Sequence, residues 1–214
     1  MHPKEITLTL VPKARFDVID VAERIAAEGD DVLGQHRKAL YCSFHTTAGY
    51  LEQSLCSRLQ YSQERVAPFI RAFQKLFPPD ANYHHDQLQL RTELTEEQRQ
   101  REPRNADSHL TFIGSGLRNC VTYTNRPGKP VYFIDLDGIH ENGRRTRYTK
   151  VLGYNAEEVV HRGQFAVPVS RHPIDSVNLK DPRNGFLEQV AEWLDRCGID
   201  KGRVDIALDP HERH

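Results

Sequence analysis

Three strand-like segments follow one another over residues 117–124, 130–137 and 145–152, separated only by strongly punctuated turns at Asn125-Arg126-Pro127-Gly128 and Glu141-Asn142-Gly143. Turn residues of this kind supply the backbone angles that chain reversal requires, so this stretch must form β structure and the rest must pack around it. Upstream, Ile6-Thr7-Leu8-Thr9-Leu10-Val11 alternates apolar and polar side chains, as a half-buried strand does. Phe16, Val18, Ile19, Val21, Ala22, Ile25 and Ala26 recur at helical spacing, which predicts a helix stopped at Gly29. A second strand over residues 39–44 delivers His45-Thr46-Thr47 at its end. Leu51, Leu55, Leu59, Val66, Ile70, Phe73 and Leu76 then mark one long helix or two shorter ones, closed by Phe77-Pro78-Pro79.

Residues 80–104 are polar, and Glu93 to Glu102 reads as an exposed helical turn or a mobile loop; irregular stretches of this length in a compact domain are often functional. Asn105 is the candidate N-cap of a short helix that Gly114-Ser115-Gly116 breaks. After Asn155 the composition changes to short apolar pieces between charged loops, with a helix over 185–197 and a strand over 204–208. We therefore divide the chain into a main domain, 1–154, and a C-terminal extension, 155–214, packed on it.

With 214 residues, 38% of them hydrophobic, the chain can bury a real core. Lysine and arginine number 29 against 30 aspartates and glutamates, a net charge of -1, so the global balance asks for neither nucleic acid nor an anionic membrane. No apolar run approaches the roughly 18 residues of a membrane span, and no signal-like segment opens the chain, which predicts a soluble cytoplasmic protein. Cys42, Cys56, Cys120 and Cys197 lie far apart and form no C-x-x-C pair, as reduced thiols would. Walker A, G-x-G-x-x-G, G-x-S-x-G and H-E-x-x-H motifs are absent, which removes the commonest nucleotide, dinucleotide, esterase and zincin readings.

The 11 histidines direct attention to metal or acid–base chemistry. His45, His85 and His109 sit at a strand end, in a loop and at a helix start. Three imidazoles brought together would bind a transition metal and leave one coordination position open. Each has polar neighbours suited to orienting it: Thr46 and Thr47, Asp86, and Asn105 with Asp107. His84 competes with His85 for the same role, and each histidine alone reads as well as an ordinary hydrogen-bonded side chain. Arg145 and Arg147 fall on one face of a strand, where two guanidiniums can clamp a phosphate, or equally guard a solvated edge. Ser115 between two glycines offers an anion nest or a plain turn. Asp135 and Asp137 read as acid, base or ligand, or as the wet face of a strand.

His45-Thr46-Thr47-Ala48-Gly49, Tyr83-His84-His85-Asp86 and Asn105-Ala106-Asp107-Ser108-His109, in that order and followed by Asn142-Gly143-Arg144-Arg145-Thr146-Arg147, resemble the YjbQ family of secondary thiamine-phosphate synthase-like proteins over roughly residues 4–154. The family's three motif histidines fall on His45, His85 and His109, and its D-G-P-R-x-R turn on residues 142–147. Departures are concentrated in the substrate half: the family's G-T-W-Q strand is Val131-Tyr132-Phe133-Ile134 here, its acid before the turn falls on His140, and its glutamate after H-T-T-A falls on Ser54, with Glu52 nearby.

The resemblance implies an α+β fold with a largely antiparallel sheet curled into a sandwich or barrel, helices outside, and a homotrimer. It also implies a divalent transition metal, zinc first, on His45, His85 and His109, with magnesium alongside a diphosphate substrate. The expected function is a metal-dependent enzyme acting on a small phosphorylated or anionic substrate, by thiamine-phosphate synthase-like transfer with loss of diphosphate. The alternatives are a metal-assisted hydrolase of a phosphorylated small molecule and a non-catalytic metal- or ligand-binding regulatory protein. Asp86, Asp107 and Glu52 are the acid–base candidates, and Thr46, Thr47, Asn105, Ser115, Arg145 and Arg147 the substrate-binding ones. RNA binding through Arg144, Arg145, Arg147 and Tyr148 is disfavoured by the near-neutral charge.

Overall fold

Alternation turns Leu8 and Leu10 inward and leaves Thr7 and Thr9 in solvent, and they form β1 (Lys4–Leu10). The computed structural model describes residues 2–29, 31–91, 94–140, 143–167, 179, 181–207, 209 and 211. It divides into two units, Met1–Ala156 and Glu157–His214. The first unit continues with β2 (Asp17–Asp20), α1 (Val21–Ala27), α2 (Val32–Gln35), β3 (Lys38–Ser43), β4 (Ala48–Tyr50), α3 (Gln53–Arg58) and α4 (Gln63–Leu76). It is completed by 3-10 turns at His84–Asp86 and Leu88–Leu90, then α5 (Glu96–Arg101), α6 (Ala106–Gly114), β5 (Cys120–Thr124), β6 (Tyr132–Asp135), β7 (Ile139–His140), β8 (Gly143–Arg144) and β9 (Arg147–Tyr154).

The strands form a sheet of order β1-β9-β3-β5, a second of order β2-β6-β4, and a hairpin β7-β8, every pairing antiparallel. The fold is therefore α+β with antiparallel sheets, and among the described residues no barrel closes. The two larger sheets share one core. Tyr50 of β4 stands with its ring 5.5 Å from Tyr41 of β3 and 5.4 Å from Phe133 of β6, and its hydroxyl meets Thr149 Oγ1 of β9 at 2.5 Å. Such a buried phenol needs a polar partner, and Thr149 supplies it. Val66 and Ile70 of α4 and Phe112 of α6 join this core.

Two expectations change. The helix predicted from Phe16 onward begins only at Val21, because Asp20 accepts from the N–H groups of Ala22 and Glu23 at 2.9 and 3.3 Å and caps it there. Val18 and Ile19, whose β-branched side chains suit a pleated surface, pair with β6 instead. Between the His45 turn and α3 the chain forms β4, where Gly49 lets two backbones meet: a Cβ there would stand 2.5 Å from the Arg118 carbonyl oxygen. In the polar stretch, α5 is a true helix with a capping box at Thr95; Thr92 and Glu93 lie outside the described residues.

In the second unit, α7 (Phe186–Cys197) runs between Gly185 and Gly198, both left-handed. Phe165 packs edge-on against Phe186 at 5.0 Å, and His161 against Trp193 at 4.7 Å. The strand expected over 204–208 is irregular through Ala207, and Leu208 lies outside the described residues. Among the described residues no helix is long and apolar enough to cross a membrane.

Candidate active site

The helix N-terminus at Ala106 has an N–H without an intrahelical acceptor, and Asp86 provides one: its Oδ1 accepts from Ala106 N–H at 3.0 Å. That bond brings the His84–Asp86 turn onto the first turn of α6, from which His109 projects. The His85 and His109 rings meet with centroids 4.9 Å apart. His85 Nδ1 lies 3.0 Å from Asp86 Oδ1, so the carboxylate orients the imidazole through that nitrogen. Burial, reinforced by the His85 charge, lowers the His109 pKa, and it stays a neutral imidazole at pH 7. Of the two adjacent histidines, it is His85 that meets His109.

Beneath this pair lies a buried polar network. Asn105, expected as an N-cap, makes no capping bond; its Nδ2 donates instead to Asp137 Oδ2 at 2.7 Å. Asp137 and Asp135 are fully buried rather than on a wet strand face. Each has a guanidinium. Arg145 Nη2 reaches Asp137 Oδ2 at 2.8 Å, while Arg147 grips Asp135 through Nε at 2.7 Å and Nη2 at 2.8 Å. Arg147 Nη2 also donates to the Asp137 carbonyl at 3.0 Å and to Thr47 Oγ1 at 3.3 Å. Arg147 is thus a buried structural cation, not a free anion clamp, and Arg145 precedes β9 rather than sharing its face. Asp137 Oδ1, Asn105 Oδ1 and Arg145 Nε are buried with no partner among the described residues. Asn142 and Glu141, part of the turn assigned by motif, lie outside the described residues.

His45 stands apart. Its Nε2 accepts from Tyr148 N–H at 2.9 Å, and its own carbonyl accepts from Asn119 Nδ2 at 2.6 Å. Burial, then Arg147 and Arg145, lowers its pKa. Among the described residues no three histidine, cysteine, aspartate or glutamate side chains converge as a metal-binding group. At His45, Nε2 is engaged by the Tyr148 N–H, so Nδ1 is the nitrogen that would serve a metal.

The remaining candidates separate. Thr47 is buried in the Arg147 network and Thr46 is exposed. Ser115 donates to the Thr111 carbonyl at 2.7 Å, closing α6 rather than presenting an anion nest. Glu52 pairs with Arg118 at 2.8 Å on the surface, and among the described residues no hydrogen bond or ion pair joins it to the histidines. Asp107 is chelated by Arg15 Nη2 at 2.9 and 3.0 Å, yet burial still holds its carboxyl above the ordinary range. Arg15 escaped the sequence reading and had no motif to signal it. It also lines an open cavity of about 470 Å³ with Ala14, Phe16, Arg71, Gln74 and Lys75, a basic hollow that includes neither His85 nor His109.

No family model matches the chain, and no curated protein matches it. Among solved structures it is similar to a YbjQ-like protein of unknown function from Sulfolobus solfataricus P2, with 15% identity over 72% of this chain and 99% of that one and a TM-score of 0.46. It is similar also to a hypothetical protein from Aeropyrum pernix K1, with 19% identity, the same coverages of 72% and 99%, and a TM-score of 0.45. A third is an uncharacterized conserved protein of the yjbq/upf0047 family from Clostridium acetobutylicum, 19% identical over 68% of this chain and 97% of that one, TM-score 0.44. The third description carries the family name that the motifs resemble.

Proposed function

We propose that the chain is an enzyme acting on a small phosphorylated or otherwise anionic molecule, with His85 and His109 as its proton-transfer pair and Arg145 as donor to the anion. The observation that carries this is the meeting of the two imidazoles at 4.9 Å, one oriented by Asp86 and the other held neutral by burial. A neutral imidazole with a free lone pair takes a proton from an attacking hydroxyl or water, and a neighbouring protonated one returns a proton to the leaving oxygen. Hydrolysis of a phosphorylated molecule needs that exchange in full; thiamine-phosphate synthase-like transfer, whose ring-nitrogen nucleophile carries no proton, needs only the half that protonates or neutralises the departing diphosphate. A divalent transition metal, zinc first, belongs to both versions as the motifs imply it. The homotrimer implied by the motifs and the cytoplasmic setting expected from the sequence belong to the same proposal.

The test is release of phosphate or diphosphate from a panel of sugar phosphates, nucleotides and alkyl diphosphates, with wild type, His85→Gln and His109→Gln in parallel. Loss of an acid–base partner should lower turnover by about 10²-fold or more in each variant. Turnover unchanged in both would refute the pair. Elemental analysis of the same proteins decides the role of a metal: about one transition-metal ion per chain, lost in both variants, would support a metal centre that includes His85 and His109. Binding of inorganic phosphate without turnover of any panel member would assign a ligand-binding protein instead.

A further inference from the structure

We propose that Cys42 and Cys120 are a reversible redox pair, which a disulfide oxidant such as oxidised glutathione closes into an intrachain bond beside the His45 turn. The two residues lie far apart in sequence, but they are directly opposed partners on the antiparallel β3 and β5 strands. Opposed residues on such a ladder project to the same side of the sheet. Their sulfurs stand 3.4 Å apart. Ser43 N–H donates to the Asn119 carbonyl at 2.7 Å, so the ladder bond belongs to the next pair along, and Cys42 faces Cys120 across a non-hydrogen-bonded position. That position brings Cα atoms to about 4.5 Å, inside the range a disulfide spans. Little backbone movement separates dithiol from disulfide.

Access and contrast support the assignment. Both cysteines are half-exposed, and Lys150, opposite Cys42 on β9, is exposed on the same side of the sheet. Cys56, by comparison, is buried, receives the Tyr123 hydroxyl at 3.0 Å, and has its thiol pKa pushed up by burial. Buried thiols of that kind are inert. The chemistry balances. One cysteine thiolate attacks oxidised glutathione, forming a mixed disulfide and releasing one glutathione thiolate; the other cysteine attacks the mixed disulfide and releases the second. The protein loses two protons and two electrons, and oxidised glutathione becomes two reduced molecules.

The position gives the bond a consequence. Ser43 follows Cys42, and its hydroxyl donates to the Ala48 carbonyl at 2.6 Å and accepts from His45 N–H at 3.3 Å. Asn119 precedes Cys120 and donates to the His45 carbonyl at 2.6 Å. Both anchors of the His45 turn are thus adjacent to the thiol pair, and a disulfide would hold them at one separation.

The experiment equilibrates the full chain with oxidised and reduced glutathione at several ratios, followed by intact mass and peptide mapping under acid quench. The expected product has lost two hydrogen atoms, maps to Cys42–Cys120, leaves Cys56 and Cys197 as thiols, and reverts with dithiothreitol. Cys42→Ser and Cys120→Ser should each stop at a single glutathione adduct on the remaining partner. Amide exchange over residues 45–48 should slow in the oxidised wild type and remain unchanged in the serine variants. Four free thiols in excess oxidised glutathione, a bond to Cys56 or Cys197, or linkage only between chains would overturn the proposal.

Discussion

Arg147→Met is the perturbation that most directly tests how the polar network supports the site. Arg147 is 4% exposed and Asp135 0%. The guanidinium makes four donations: two to Asp135 at 2.7 and 2.8 Å, one to the Asp137 carbonyl at 3.0 Å and one to Thr47 at 3.3 Å. Methionine fills much of the same volume but, among the described residues, leaves the Asp135 carboxylate with only the Asp137 N–H, which reaches it at 3.0 Å. Breaking a buried ion pair on one side costs about 3–5 kcal/mol, because the surviving charge is stranded away from water. We take about 4 kcal/mol, which at a urea slope of about 2 kcal/mol/M lowers the unfolding midpoint by about 2 M. Near-ultraviolet circular dichroism of the buried tyrosines follows the first unit. Arg147→Met with Asp135→Asn removes the stranded charge and should recover about half of the loss. A single variant within about 1 kcal/mol of wild type, or a double variant no more stable than the single, would refute the reasoning.

Oxidation of Cys42 and Cys120 closes a loop between residues 78 apart. The chain-entropy relation then gives a gain of about 4.5 kcal/mol, read as a higher urea midpoint that dithiothreitol abolishes; no gain would mean that the bond strains the strands. Gly49→Ala places a Cβ 2.5 Å from the Arg118 carbonyl oxygen and 2.9 Å from the Phe112 ring. It should therefore destabilise by about 1–3 kcal/mol in the same assay, and a neutral effect would show that β4 has room to move. The pKa of His109 is lowered below its ordinary 6.5, so as pH falls through 6.5 the unfolded chain takes up a proton that the folded chain resists. Stability falls with it, and the penalty is absent above that range. Wild type should lose more stability than His109→Asn between pH 7 and 5, and equal losses would contradict a buried neutral imidazole.

How much of this was legible in the sequence depends on where the deciding partner sits. β1 and α7 show in their own side-chain periodicity, because each needs only one apolar face. The α1 boundary did not: Val18 and Ile19 continue the helical spacing of Val21, Ala22 and Ile25, and only the capping bonds of Asp20 and the pairing with β6 break it. β4 is three residues long, too short to carry a period. The same distinction governs the site. Asp86 is read as a neighbour of His85, but its bond to Ala106 N–H is what draws His85 to α6, and His109 lies three residues beyond Ala106, on the same helical face. Asp135 and Asp137 resemble a wet strand face because two charges alternate. Yet β6 is the central strand between β2 and β4, and Tyr132, Phe133, Ile134 and Asp135 are all buried. Two carboxylates sealed from water require two cations, so the arginines that resembled an anion clamp are committed first to Asp135 and Asp137. Capacity for a ligand is what remains after those pairings are made. Among the described residues, Arg145 Nε, Asn105 Oδ1 and Asp137 Oδ1 are the atoms of this network that those pairings leave without a partner.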